Sequence, residues 1–113
     1  MKERRQKKTN QILKKQIEKG LKSIKNKSKI IIAYEPVWSI GTGVIPKEAD
    51  LNKTISFIKS KFIKKYPKIL YGGSVNTNNV SILKKIPSID GFLIGGASQN
   101  PKKFIDIIKK TIN

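Results

Sequence analysis

The stretch that decides the fold is residues 33–43, which read AYEPVWSIGTG. It places one carboxylate, Glu35, directly after the apolar run Ile30-Ile31-Ile32 and just before a glycine-rich loop. A continuous apolar run is typical of a buried parallel strand. The carboxyl ends of such strands are where α/β barrels carry their reactive groups. The stretch therefore predicts a buried strand over residues 30–34, with Glu35 at the reactive end of a parallel sheet.

Two further junctions between a strand and a glycine pair follow along the chain. They read YGGS at residues 71–74 and IGGAS at residues 94–98. The apolar segments before the glycines predict strands at Lys68–Tyr71 and Gly91–Ile94. Three such junctions in one short chain are hard to explain as ordinary turns, which indicates one shared site at the carboxyl ends of the strands.

Amphipathic helices are predicted before, between and after these strands. Their apolar faces comprise Leu13, Ile17, Leu21 and Ile24, then Leu51, Ile55, Ile58 and Phe62, then Val80 and Leu83, and last Phe104, Ile105, Ile108 and Ile112. The first helix is predicted at Thr9–Lys25, with Gly20 inside it, and the second begins at Pro46 and ends at Tyr66-Pro67. The third is short, with Asn76 or Thr77 as its cap and Pro87 at its end, and the fourth begins near Pro101. Strands that alternate with helices predict right-handed βαβ units and a parallel sheet.

Length and composition limit what the chain can do. Its 113 residues cannot close a complete (β/α)8 barrel, which typically needs about 250. Cysteine and histidine are absent, so disulfides, thiolate metal sites and imidazole chemistry are excluded within these residues. The N-terminus is charged and lacks the apolar core of a signal peptide, and no apolar run reaches the ~20 residues of a membrane span. We expect a cytoplasmic protein.

The net charge of +18 raises the alternative of nucleic-acid binding. Arginine, which reads phosphates and bases better than lysine does, occurs only at Arg4 and Arg5. The lysines mostly occupy polar helix positions, without interleaved aromatic side chains on which bases could stack. The charge therefore favours nonspecific association over a dedicated nucleic-acid site.

The three junction segments closely resemble the triosephosphate isomerase family. The family's signature reads AYEPVWAIGTG, from which residues 33–43 depart only at Ser39. Residues 71–75 and 95–98 are similar to its two phosphate-gripping loops, in the family's order and at about its spacing. The resemblance implies an α/β fold, a partial (β/α)8 TIM barrel of about three C-terminal β-α units preceded by a helix. Residues 1–113 would then be the C-terminal half of that barrel, with strands 1–5 absent.

The resemblance also assigns roles to residues. Glu35 would be the catalytic base, whereas a surface carboxylate that caps a turn is the alternative. Ile40 and Leu93 would clamp the base, although Leu93 could be a plain core residue. The phosphate site would use Gly41, Ser74, Gly95 and Gly96, which could otherwise be tight turns that need a positive φ. The mobile lid would include Pro36, Val37, Trp38, Thr42 and Gly43, with Tyr71 and Ser74 as its hydrogen-bond partners and with unusual hinge residues at Val44 and Pro46.

The implied reaction interconverts dihydroxyacetone phosphate and glyceraldehyde 3-phosphate by proton transfer, without a cofactor or metal. The family's catalytic lysine, phosphate-side asparagine, electrophilic histidine and main dimer loop would all lie in the absent half. We therefore expect the isolated chain to be inactive. It would need an N-terminal half-barrel in cis or in trans, and the complete enzyme would be a homodimer. The alternative is a non-catalytic basic fragment or binding protein that associates nonspecifically with nucleic acid.

Overall fold

A computed structural model describes residues 2–24, 30–36, 45–62 and 67–112, with side chains from Asn10 onward. Helices and strands alternate through these ranges, and a short 3-10 helix, Gly96–Gln99, precedes the last helix. The helices are α1 (Lys2–Gly20), α2 (Glu48–Lys59), α3 (Val80–Leu83) and α4 (Pro101–Ile112), and the strands are β1 (Ile31–Tyr34), β2 (Lys68–Tyr71) and β3 (Gly91–Phe92). The predicted order of elements is confirmed.

The strands form one parallel sheet in the order β1-β2-β3. Ile31 of β1 lies opposite Lys68 of β2, and Tyr71 of β2 lies opposite Phe92 of β3. Each strand therefore pairs with the next one along the chain, as successive units of an α/β barrel do. Among the described residues, β1 and β3 each keep one edge without a strand partner.

The core lies between one face of the sheet and the helices. Alternate residues of β2, Ile69 and Tyr71, are fully buried on this face, which is the two-residue period expected of a strand. The helices bury against them Leu51, Ile55 and Ile58 of α2, Val80 and Leu83 of α3, and Ile107 of α4. Leu13 and Ile17 of α1 pack at the edge of this cluster.

The opposite face of the sheet is uncovered in the described part of the chain. Ile31 is 66% exposed and Leu93 is 45% exposed, and Ala33 is exposed as well. The strand predicted at residues 30–34 is present as Ile31–Tyr34, and the described helices cover only one of its faces. The apolar run would suit a sheet with both faces covered, but the described helices cover only one.

Several predicted boundaries need correction. The helix predicted at Thr9–Lys25 spans Lys2–Gly20, because Gly20 ends it and Ile24 lies beyond it, 37% exposed. The second helix begins two residues after Pro46, at Glu48, and ends at Lys59, so Phe62 lies outside it. The third strand stops at Phe92 instead of Ile94.

The predicted apolar face of α4 is also corrected. Ile107 is its buried residue, although the prediction named Ile105, Ile108 and Ile112. Those three side chains are exposed, and only Phe104 of the predicted face is half-buried. The apolar side chains of α4 extend around more of the helix than the described sheet covers, so some of them stay exposed.

Candidate active site

Glu35, Gly72 and Leu93 lie together just beyond the carboxyl ends of the three strands. The Gly72 N–H donates to the Tyr34 carbonyl at 2.9 Å, and the Leu93 N–H donates to the Tyr71 carbonyl at 2.9 Å. These two bonds extend the parallel ladder past the strand ends. The backbone thereby fixes three neighbouring positions at one end of the sheet, on its uncovered face.

The side chain of Glu35 lies directly against Gly72. A β-carbon at position 72 would be 2.9 Å from Glu35 Cγ, 3.0 Å from Glu35 Oε1 and 3.2 Å from Leu93 Cβ. A contact of 2.9 Å essentially never occurs for a real β-carbon, and contacts of 3.0–3.2 Å are unusually tight, so a neighbouring atom would have to move. The φ of Gly72 lies outside the left-handed region, so space rather than backbone conformation requires glycine here.

Two tyrosines support this end of the sheet from the helix side. Tyr34 and Tyr71 are register partners at the ends of β1 and β2, and Tyr71 is fully buried. Burial, and then the proximity of Tyr71, raises the pKa of Tyr34 above its ordinary value. Tyr34 is therefore neutral at physiological pH. Pro36, which the resemblance assigns to the lid, is buried as well.

The loop after β2 carries Ser74, which is half-buried. The Ser74 carbonyl accepts a hydrogen bond from the side-chain amide of Asn79. Asn76 Oδ1 accepts the N–H groups of Asn78 at 2.8 Å and Asn79 at 3.0 Å, as a helix cap would. The prediction of Asn76 as a cap therefore has a structural counterpart, although α3 itself begins at Val80.

The glycine pair after β3 is exposed and open. A β-carbon at Gly95 or Gly96 would meet nothing within 4 Å in the described part of the chain. Gly95 has a φ of −90°, and the φ of Gly96 also lies outside the left-handed region. The interpretation of this pair as a turn that needs a positive φ is therefore wrong. A short 3-10 helix, Gly96–Gln99, begins at the second glycine of this pair.

Six of the predicted site residues cannot be compared with the structure. Val37, Trp38, Ile40, Gly41, Thr42 and Gly43 lie outside the described residues, as does the hinge residue Val44. The lid and one part of the phosphate site therefore stay predictions from sequence. The described ranges hold no group of three or more acidic, histidine or cysteine side chains that could bind a metal ion. In the same ranges no helix is long and apolar enough to cross a membrane.

Sequence reasoning missed two features of the site. One is the close approach of Gly72 to Glu35, which depends on the register of two strands that are 37 residues apart at these positions (72 − 35). The other is Asn79, which is only 9% exposed. The sequence shows only an asparagine-rich turn at residues 76–79, while the burial of Asn79, and with it the need for hydrogen-bond partners, is seen only in the structure.

The comparisons with known proteins agree with one another. The family model for triosephosphate isomerase matches residues 1–111. Triosephosphate isomerase of Thermodesulfovibrio yellowstonii is 42% identical over 113 residues, a region that covers 95% of this chain and 46% of that enzyme. The enzyme of Mycoplasma mobile is 48% identical over 102 residues, which cover 90% of this chain and 42% of that enzyme. The enzyme of Dictyostelium discoideum is 50% identical over 92 residues, which cover 75% of this chain and 36% of that enzyme.

The chain thus spans less than half the length of these relatives. All of them carry the same enzyme name, so the comparisons give the nucleic-acid alternative no support.

Proposed function

The chain belongs to the triosephosphate isomerase family, and we propose that it supplies the catalytic base and the phosphate grip of such an enzyme once an N-terminal half-barrel completes it. The substrates would be dihydroxyacetone phosphate and glyceraldehyde 3-phosphate. The observation that carries the proposal is the position of Glu35, beside Gly72 and Leu93 at the carboxyl end of the parallel sheet. In α/β barrels this end carries the active site.

The proposed isomerisation needs one base that reaches two neighbouring carbon atoms of the substrate. Glu35 would remove a proton from the carbon next to the carbonyl and return it to the adjacent carbon. Its exposed side chain lies against Gly72, near Leu93, on the uncovered side of the sheet, where a substrate would lie in a closed barrel. Leu93 offers an apolar contact that would exclude water from the carboxylate when Ile40 closes from the lid. Pro36, Val37, Trp38, Thr42 and Gly43 would belong to that lid, with Tyr71 and Ser74 as its hydrogen-bond partners.

The phosphate would be bound by backbone N–H groups of Gly41, Ser74, Gly95 and Gly96. The open space around Gly95 and Gly96 supports this, because no described side chain of the protein occupies it. Backbone N–H groups without a neighbouring side chain can approach phosphate oxygens closely. Barrels commonly bind phosphate in the loops after their last two strands, and Ser74 follows β2 while Gly95 and Gly96 follow β3. No metal or cofactor enters the proposed reaction.

Two apolar clefts indicate where the N-terminal half would dock. One cleft of about 650 Å³ lies between α1 and β1 and includes Ile17, Ile32 and Glu35 in its lining. A second cleft of about 440 Å³ lies between β3 and α4, where the exposed Ile108 and Ile112 line it. Each cleft adjoins a strand with an unpaired edge in the described structure. Strands added at both edges would cover these surfaces and continue the sheet into a barrel.

We infer that this chain contributes about three C-terminal β-α units, as one incomplete domain over residues 1–113. The complete enzyme would be a homodimer, since the family is typically dimeric. Cytoplasmic localisation, which the resemblance implies for a glycolytic enzyme, stays a prediction.

The test is reconstitution. The N-terminal part of the Mycoplasma mobile enzyme, joined in front of this chain, gives an assembled barrel, and coupled turnover of glyceraldehyde 3-phosphate measures its activity. We expect turnover by the assembled barrel and none by the chain alone. Glu35→Gln in the assembled barrel should lower kcat by ~10²–10⁴, the usual contribution of a general base. A folded assembled barrel that is inactive, or one that is indifferent to Glu35→Gln, would refute the proposed function.

A further inference from the structure

Asn79 ties the loop after β2 together from inside. Its side chain is 9% exposed and makes two hydrogen bonds of opposite kind. Nδ2 donates to the Ser74 carbonyl, and Oδ1 accepts the Asn76 N–H at 2.9 Å. The amide orientation is determined by these partners, since a carbonyl can only accept and an N–H can only donate. One buried side chain thus joins both ends of the segment Ser74–Asn76.

The same residue anchors the loop to a helix. The Asn79 carbonyl accepts the N–H of Leu83 at 3.0 Å, so its backbone belongs to the first turn of α3. Val80 and Leu83 of that helix are fully buried in the core. Lys110 of α4 supports the loop from outside, because its Nζ donates to the Thr77 carbonyl at 2.9 Å. Asn79 therefore links Ser74 to a helix that is packed in the core.

We propose that Asn79 is a positioning residue for phosphate binding: by holding the Ser74 carbonyl and the Asn76 N–H, it fixes the direction in which the Ser74 backbone presents its own N–H to the substrate phosphate. The proposal rests on the proposed function, in which Ser74 is a phosphate ligand. A loop that is already ordered loses less conformational entropy when the ligand binds, so its affinity is higher.

Asparagine suits this position because it offers one donor and one acceptor on a short planar group. Aspartate would keep the acceptor but lose the donor, and alanine would lose both. A residue with a purely structural role would stabilise the fold without changing phosphate affinity. That difference separates the two roles experimentally.

The experiment compares Asn79→Ala with Asn52→Ala in the assembled barrel. Asn52 of α2 is the matched control, because it is half-buried and its Oδ1 also accepts a hydrogen bond, but from Ser88 Oγ at 2.6 Å and not from the Ser74–Asn76 segment. For Asn79→Ala we expect KM for glyceraldehyde 3-phosphate and Kd for inorganic phosphate to rise roughly tenfold, the size of one lost hydrogen bond. Turnover of unphosphorylated glyceraldehyde should not change. Asn52→Ala should lower Tm and leave all three values unchanged.

Asn79→Ser provides a second variant if alanine prevents folding. Its shorter hydroxyl can reach one of the two partners, so an intermediate rise of about threefold is expected in Kd for phosphate. Either variant overturns the proposal if it lowers Tm while Kd for phosphate and KM stay at the unsubstituted values. The binding measurement needs no turnover. A folded but inactive barrel would therefore refute the proposed function, while the phosphate Kd still decides the role of Asn79. An unsubstituted barrel that binds no phosphate would refute both.

Discussion

Gly72 leaves the space in which the side chain of Glu35 lies, since a β-carbon at Gly72 would come within 2.9 Å of Glu35 Cγ. The Gly72 N–H is bonded to the Tyr34 carbonyl, one residue before Glu35, so the two residues cannot move apart without breaking the ladder. The position of the Glu35 side chain therefore depends on the absence of a side chain at position 72.

Gly72→Ala should displace the base. The added methyl group would push the Glu35 carboxylate out of its position, and a shift of about 1 Å can cost ~10² in rate. We expect a fall of about that size in kcat/KM of the assembled barrel, with a stability loss of about 1–3 kcal/mol from overpacking. Gly20→Ala is the control, because a β-carbon there meets nothing within 4 Å. Full activity of Gly72→Ala would show that the carboxylate works from another position.

Glu35→Asp tests the reach of the base. The carboxylate would be retained but withdrawn by one methylene, toward the sheet and away from the substrate. We expect kcat to fall by about 10², which is less than the largest fall, ~10⁴, expected for Glu35→Gln. Coupled turnover of the assembled barrel measures both variants. Equal activity of Glu35→Asp and the unsubstituted barrel would contradict a role that depends on placement.

Gly96→Ala tests the phosphate site without a cost to folding. No atom of the described residues lies within 4 Å of the added methyl group, and the φ of Gly96 lies outside the left-handed region. A methyl group in the path of the phosphate should raise KM roughly tenfold, the equivalent of one hydrogen bond. Thermal unfolding should be unchanged. If KM stays constant while Tm falls, the glycine serves the fold and not the ligand.

Asp90 provides a test of pH dependence. Its Oδ2 accepts the Ile69 N–H at 2.8 Å and lies 3.3 Å from Lys59 Nζ. Partial burial opposes ionisation, but the Ile69 N–H, Lys59 and Lys68 outweigh it and lower the pKa of Asp90 below its ordinary value. The unfolded chain, in which the pKa of aspartate is about 3.9, then binds more protons than the folded one as the pH falls between the two values.

The stabilisation by Asp90 is therefore complete above the unfolded-state pKa and is lost as the pH falls through the folded-state pKa. Asp90→Asn should cost most stability above about pH 5 and progressively less below about pH 4. Urea unfolding of the assembled barrel at several pH values measures this. Asp106→Asn is the control, since its ion pair with Lys110 is nearly half-exposed and should contribute below about 1 kcal/mol. If the loss of unfolding free energy caused by Asp90→Asn is the same at every pH, the charge of Asp90 does not stabilise the fold.

The sequence was sufficient for the order of elements and for the strand ends beside which Glu35, Ser74 and the two glycine pairs lie. Strands β1, β2 and β3 were predicted because each is an apolar run followed by a carboxylate or glycine pair, which are local signals. The side chain that α4 buries, Ile107, was missed because its helix has apolar residues on more than one face. The neighbouring element, not the periodicity, decides which of them is covered.

Contacts between distant residues could not be predicted in the same way. The exposure of Ile31 depends on what covers the second face of the sheet, which no local pattern specifies. The approach of Gly72 to Glu35 follows from strand register, and the two bonds of Asn79 follow from the path of the loop. The resemblance named Glu35 and Ser74 for the site. The residues that hold them were visible only in three dimensions.

The sequential strand order has a consequence for how such a protein could be divided and rejoined. Among the three described strands none inserts between two earlier ones, so each successive strand adds at the edge of the sheet formed before it. Synthesis from the N-terminus can therefore lay down β1, β2 and β3 in turn, without later segments having to thread back between earlier ones. Because α1 precedes all three described strands, a break in the backbone before α1 would leave the pairings of β1 with β2 and of β2 with β3 intact.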